Sequence, residues 1–208
     1  MQLSIKTNID DVAKSLTKIQ RKQIPFAASV ALNETAFGLQ KEIKRQMPRK
    51  LDRPTPWTIA GVRVQKSKKT DLEAIVYMAG AKGLKGESAD RNKYMQYQVY
   101  GGTRMPKKSK IPVPYQKNLK TNKYGNLPRN KIKGLTARPD VFVGNVKGID
   151  GVWQRNKKNN GVKLLVGFEN SAQYSGRFPF GRIGSGYSLS KFDSNFNKAL
   201  ARALASAR

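Results

Sequence analysis

The chain has 208 residues, of which 41 are basic and 13 are acidic, giving a formal net charge of +28 at pH 7. It contains no cysteine and no histidine, which excludes disulfide bonds, thiol nucleophiles, zinc sites built from these residues and histidine general bases. Self-repulsion at this charge opposes compaction, so we expect the chain to bind a polyanion or an assembly partner. No apolar run approaches the roughly 20 residues that a membrane helix needs.

Near the N-terminus, two elements are predicted ahead of a longer helix. Leu3 and Ile5 alternate with polar neighbours, which predicts a short edge strand. Asn8 then heads a capping pattern, and an amphipathic helix is expected from there to about Arg21. We predict a break in the helix at residues 23–25.

The longest predicted element lies between Ile24 and Trp57. Its small and apolar residues recur at steps of three or four, namely Ala28, Leu32, Ala36, Leu39, Ile43 and Met47. This spacing lays them along one helical face. Pro25 suits the first turn of a helix, and Pro54 and Pro56 end it. The sequence therefore predicts a long N-terminal helix whose alanine-rich face packs closely against another element.

A hairpin is predicted directly after these prolines. Residues 58–65 are rich in β-branched side chains. As a strand, residues 72–78 would carry apolar side chains on both faces. The second strand should therefore be central in its sheet. We expect both strands to pack against the long helix.

The next segment, residues 80–138, scatters glycines and prolines among lysines. Only Met95–Tyr100 carries a strand pattern. Such a long irregular run is typical of a functional or disordered segment. We predict a single domain, residues 1–208, in which residues 80–138 form an extended basic arm that becomes ordered against neighbouring subunits.

Strand character returns in the last third of the chain. The predicted strands are residues 141–143, 151–154 and 162–168. Asp150-Gly151 and Asn160-Gly161 are predicted turns between them.

The C-terminal part should contain an apolar cluster at residues 178–180, a loop at Gly184 and Gly186, and a helix capped by Ser190. Taken together, the elements predict an α+β fold. It consists of a long N-terminal helix packed on a small antiparallel sheet or partial barrel, with a long basic arm and a C-terminal helix.

The acidic residues form no convincing catalytic pair. Asp10-Asp11 is best explained as charge at a helix start, and Asp71 with Glu73 as a solvated strand face. Asp140 followed by Asn145 only superficially matches a nuclease signature, because an asparagine stands where a second acid is needed. The glycine-rich stretches match no phosphate-binding loop. We therefore expect no enzyme, no catalytic or metal-ligating residue and no cofactor.

Basic clusters interleaved with tyrosines are the main chemical signal. Residues 81–163 hold 20 basic and 4 acidic residues, a net of +16. Cations neutralise phosphates and tyrosines stack on bases, so a nucleic-acid surface fits, as does a solvated face or contact with acidic neighbouring subunits. The candidate contacts to DNA or subunits are Arg104, Lys107, Lys108, Lys110, Lys117, Lys120, Lys123, Arg129, Lys131 and Lys133.

Several stretches resemble the minor tail protein Z family of tailed bacteriophages and the related tail-completion or neck proteins. They are QIPFAASVALNETA at Gln23–Ala36, RPTPWTIAGVRVQKSKK at Arg53–Lys69, LEAIVYM at Leu72–Met78, YQVYGGTRMPKK at Tyr97–Lys108 and YGNLPRNKI at Tyr124–Ile132. The resemblance weakens after Asp140.

This resemblance implies a virion protein made in the bacterial cytoplasm. It would form a ring, commonly a hexamer, at the head–tail junction or proximal tail, and help to join the tail to the DNA-filled head. The implied partners are further copies of itself, neighbouring tail terminator, tail tube or connector proteins and the phage DNA, with no membrane. A non-specific nucleic-acid-binding protein acting outside a particle stays open as an alternative.

Overall fold

A computed structural model describes residues 1–6, 18–85, 91–106, 109–156 and 161–206. The chain forms two compact units. The first unit combines residues 1–100 with 176–208, and the second is residues 101–175. No change of composition is sharp enough to mark this division in the sequence. The single domain expected from sequence stays a prediction.

Helix α1 spans Lys18–Lys50 in the first unit. The predicted break at residues 23–25 is wrong, because the helix continues through Pro25. A proline inside a helix forfeits one backbone hydrogen bond. Ile24 and Ala27 on either side of it are buried, and their packing holds the chain helical. The helix predicted to start at Asn8 lies mostly outside the described residues.

The predicted buried face of α1 is confirmed. All six residues proposed for it have no exposed surface: Ala28, Leu32, Ala36, Leu39, Ile43 and Met47. Five of them belong to the main core of the unit, and Ala28 packs in a smaller cluster with Ile24. The 3.6-residue period in the sequence therefore located the core side of the helix correctly.

A three-stranded antiparallel sheet covers part of this face. Its strands are β1 (Gln2–Lys6), β2 (Val62–Gln65) and β3 (Glu73–Met78), in the order β1-β3-β2. The edge position of β1 and the central position of β3 were both predicted. Val76 and Met78 of β3 are fully buried in the core shared with α1.

Two segments predicted as strand are helical. Helix α2 (Pro56–Ile59) replaces the start of the strand expected at 58–65, because the Thr55 hydroxyl accepts the Thr58 N–H and caps it. Helix α3 (Arg91–Tyr100) replaces the strand expected at Met95–Tyr100. Met95 and Val99, four residues apart, both pack into the core, and this packing overrides strand propensity.

In the second unit, strands β4 (Gly102–Arg104) and β9 (Ala172–Tyr174) form a small antiparallel pair. Four further strands are β5 (Ile111–Pro114), β6 (Val141–Val146), β7 (Ile149–Arg155) and β8 (Val162–Glu169). They form an antiparallel sheet in the order β5-β8-β7-β6. A short helix, α4 (Lys131–Thr136), contributes Leu135 to a core with Val141, Val152, Leu165 and Val166.

The two edges of this sheet differ. Tyr115 donates its N–H to Leu165 of β8, so the alternating pattern turns Pro112 and Pro114 of β5 outward, where proline has no N–H to offer. At the other edge, β6 has no charge and no proline. Its outward backbone groups belong to Val143 and Asn145, because Val146 and Ile149 close a two-residue turn.

That turn is Lys147-Gly148, whose φ angles of 53° and 81° are both positive. The predicted turn at Asp150-Gly151 is therefore wrong, since both residues lie in β7. The other predicted turn includes Asn160, which lies outside the described residues.

The last helix, α5, spans Phe180–Ala205 in the first unit. The predicted loop at Gly184 and Gly186 and the predicted start at Ser190 are wrong. Gly184 lies so close to Leu3 of β1 that a Cβ there would clash, so this glycine serves close packing and does not break the helix. Ala199 and Ala203 pack against Ala27 and Ala31 of α1.

The predicted fold class is confirmed. The described chain is a mixed α+β structure with a long N-terminal helix, small antiparallel sheets and a C-terminal helix, and its sheets do not close into a barrel. Residues 80–138 contain more regular structure than an extended arm would, namely α3, β4, β5 and α4.

Candidate functional site

All ten candidate cations lie in the second unit, which holds 16 basic and 3 acidic residues. Lys107 and Lys108 are outside the described residues. Arg104 ends β4 and Lys110 precedes β5. The others follow β5: Lys117, Lys120, Lys123 and Arg129 are in the segment 115–130, here called the basic loop, and Lys131 and Lys133 are in α4. Six of the eight described cations are exposed, while Arg104 and Lys131 are half-buried.

The basic loop has a defined conformation. The Asn122 side-chain carbonyl accepts the N–H groups of Tyr124 and Asn126 at 3.0 and 2.9 Å. Leu119 and Leu127 anchor the loop in the core of the unit. Its exposed lysines are therefore carried by an ordered loop, and their positions are fixed by the fold of this unit.

Two of the three carboxylates in this unit are already engaged by cations. Lys110 pairs with Asp150, and its hydrogen bond lowers the pKa of that carboxyl. Asp140 accepts hydrogen bonds from Gln154 at 2.6 Å and Arg138 at 2.7 Å, and both lower its pKa. The unit's own acids therefore cannot neutralise its cations.

These contacts also bear on the weak nuclease signature. Asp140 is held by Arg138 and Gln154, and the Asn145 side chain donates to Asp150 at 2.7 Å. In the part of the chain that the structure describes, no group of three or more acidic side chains could hold a metal ion. Asp10 and Asp11 lie outside that part.

The first unit contains a cation-lined cleft that was not predicted from the sequence. It has a volume of about 430 Å³ and lies where α1 ends and α5 begins. Lys50, Arg177 and Arg182 line it, together with Val99 and Tyr100 at the end of α3 and the apolar residues before α5. We call it the α5 cleft. Two arginines flank the apolar cluster at 178–180, and this was the only signal in the sequence. Nothing in the sequence links these arginines to Lys50.

The backbone around the α5 cleft is fixed by packing and hydrogen bonds. Phe178 and Phe180 are 1% and 2% exposed. The N–H groups of Arg177 and Phe178 both donate to the Gln98 carbonyl oxygen at 2.8 Å. The segment before α5 is thus tied to α3, and Arg177 and Arg182 are held at the two ends of a buried apolar anchor.

The tyrosines that the sequence interleaves with cations are split between the units. Tyr94 and Tyr100 lie on α3 and are 47% and 74% exposed. Tyr94 is 6.4 Å from Trp57 between ring centroids, and the Arg91 guanidinium lies 4.5 Å from the Trp57 centroid. The first unit therefore presents an exposed aromatic surface with a cation stacked on it.

Comparison of the chain with protein-family models, with curated proteins and with solved structures gives no match. Among the helices that the structure describes, none is long and apolar enough to span a bilayer.

Proposed function

We propose that this chain is a structural virion protein of a tailed phage, with no enzymatic role. Copies of it form a ring, a hexamer, at the head–tail junction or the proximal end of the tail, and the ring helps to join the tail to the DNA-filled head. Its partners are its own copies, the neighbouring tail terminator, tail tube or connector proteins, and the phage DNA.

The observation that carries this proposal is the surplus of cations in the second unit. The unit holds 16 basic and 3 acidic residues, and two of the acids are already paired. Bringing copies into a ring concentrates this charge, so a neighbouring acidic surface or a polyanion has to offset it. Double-stranded DNA supplies one negative charge per roughly 1.7 Å of its axis and needs no sequence-specific contacts for such binding.

A second candidate is a nucleic-acid-binding protein that acts outside an assembled particle. The exposed pair of Trp57 and Tyr94, with Arg91 stacked on Trp57, favours it. Aromatic rings accept bases of any sequence, and cations neutralise the backbone between them. The two candidates differ in their functional unit, which is a ring in the first case and a monomer or dimer in the second.

The first test measures the mass of the purified chain in solution. A single discrete ring supports the assembly role. A chain that stays monomeric or dimeric at all concentrations, while its log affinity for DNA falls steeply with log salt, supports the second candidate and contradicts the first.

The second test reverses charges on the basic loop in assembled particles. Lys117→Glu with Lys120→Glu changes two exposed lysines that have no ion pair in the described structure. We expect fewer tailed particles or loss of packaged DNA. The matched control is Lys191→Glu with Lys198→Glu, which makes the same charge change at exposed positions of α5. Normal particles that retain their DNA in the loop variant would contradict the proposal.

A further inference from the structure

We propose that the α5 cleft binds the phosphate group of a nucleotide, either free or within a nucleic-acid strand. The site is complete within one chain and does not depend on ring assembly. The test of this proposal can therefore fail without contradicting the assembly role, and the assembly role can fail without contradicting this proposal.

Three cations that are distant in sequence meet at this cleft. Lys50 is the last residue of α1, Arg177 precedes the buried anchor, and Arg182 is in the first turn of α5. All three side chains are exposed, so their charged groups are within reach of a ligand. Lysine and arginine are the usual phosphate ligands in proteins, through point charge and planar donors respectively.

Backbone donors at the same place add to these cations. In the first turn of α5, Phe180 donates its N–H to Phe178 and Ile183 donates to Pro179. The N–H groups of Gly181 and Arg182 have no backbone partner among the described residues. They lie at the positive end of a 26-residue helix, where an anion is favoured.

One acid near the cleft opposes binding, and its charge is already engaged. Asp52 accepts hydrogen bonds from Arg53 at 2.9 and 3.0 Å. The pKa of Asp52 is lowered by these bonds and, to a smaller extent, by the charge of Arg177. Asp52 is therefore paired mainly with Arg53 and acts only weakly on Arg177, so the cleft keeps a net positive charge.

The walls of the cleft indicate more than a bare phosphate ion. Its volume of about 430 Å³ lies within the range of small-molecule sites, about 300–1,000 Å³. Tyr100, which is 74% exposed, forms one wall with Val99. An exposed tyrosine ring beside a phosphate site is suited to stack on a base or sugar. The ligand class is therefore a nucleotide unit.

Gly181 provides a test that leaves the fold intact. A Cβ at this position would meet no atom within 4 Å. Gly181→Asp places a carboxylate in the first turn of α5, where it favours the helix but competes with a bound phosphate. Gly186→Asp is the matched control, because this glycine lies in the same helix and its Cβ would also meet open space.

The experiment titrates the full chain with three probes by isothermal calorimetry: pyrophosphate, thymidine monophosphate and a twelve-residue oligothymidylate. We expect saturable binding that weakens at least about tenfold in Gly181→Asp and in Lys50→Gln with Arg182→Gln, but changes less than about twofold in Gly186→Asp. Binding of the oligothymidylate without the monophosphate identifies a nucleic-acid strand as the source of the phosphate. Equal binding of both identifies a free nucleotide. Absence of saturable binding of every probe, or unchanged affinity in both cleft variants, would overturn the proposal.

Discussion

Gly151 gives the sharpest test of the sheet in the second unit. It lies in β7, between Gly144 of β6 and Gly167 of β8. A methyl group added to Gly151 would lie 2.7 Å from Leu164 Cδ1, and closer still to the backbone carbonyl oxygen of Val166. Ordinary contact begins at 3.4 Å, and a backbone carbonyl cannot rotate away as a side chain can.

Gly151→Ala should therefore force β7 and β8 apart. The spacing between neighbouring strands is about 4.8 Å, so even a displacement of several tenths of an ångström stretches several hydrogen bonds. We expect a loss of about 1–3 kcal/mol in the free energy of unfolding, the usual cost of overpacking. Gly144→Ala is the matched control, since its nearest neighbour would be Phe142 Cδ2 at 3.5 Å, and we expect a change within about 0.5 kcal/mol.

The measurement is urea unfolding followed by tryptophan fluorescence. Trp153 lies in β7, two residues from Gly151, and Trp57 is the only other tryptophan. A Trp57→Phe background makes the signal specific for the second unit. If Gly151→Ala unfolds at the wild-type urea concentration, or if Gly144→Ala loses as much stability, the close contact between β7 and β8 is refuted.

Three further predictions concern the first unit and the total charge. Ala36→Leu should overpack the core and cost about 1–3 kcal/mol, because Ala36 has no exposed surface; an unchanged thermal melt by circular dichroism would show that this helix face is not closely packed. The pKa of Glu42 is lowered from 4.5 to about 2, first by a hydrogen bond from Arg45 and then by one from Gln46. The ionised form of Glu42 thus stabilises the fold above pH 4.5, and this contribution is lost as the pH falls towards 2. In Glu42→Gln, the free energy of unfolding should therefore depend less steeply on pH between 4.5 and 2. The same pH dependence as in the wild type would contradict the assignment. The melting temperature of the isolated chain should rise as sodium chloride is increased from about 20 to about 300 mM, because salt screens the repulsion of a +28 chain, and a fall would mean that attractive pairs dominate.

Local periodicity accounts for the parts of the fold that the sequence predicted. The buried face of α1 repeats every three or four residues, and β3 carries apolar residues on both faces, so each pattern is visible within one element. The errors arise where a distant contact decides. Gly184 is typical of a loop until its contact with Leu3 is known, and the helix break that Pro25 favours is overridden by the burial of Ile24 and Ala27.

The candidate site divides in the same way. The lysines of the basic loop were among the candidate contacts because they are close together in the sequence, and the structure places Lys117, Lys120 and Lys123 on one ordered loop. The α5 cleft could not be predicted, because Lys50 is separated by more than a hundred residues from Arg177 and Arg182. Only the packing of α1 beside α5 brings the three cations together.

The unequal edges of the four-stranded sheet limit how copies can join through it. Open-ended association through strand pairing needs an edge strand that can pair on both sides of the sheet in every copy. Here β5 turns Pro112 and Pro114 outward, while β6 offers the free backbone groups of Val143 and Asn145. Strand pairing through this sheet is therefore favoured between two β6 strands, around a twofold axis, and such pairing joins only two copies. The prolines therefore disfavour open-ended strand pairing through this sheet of the second unit.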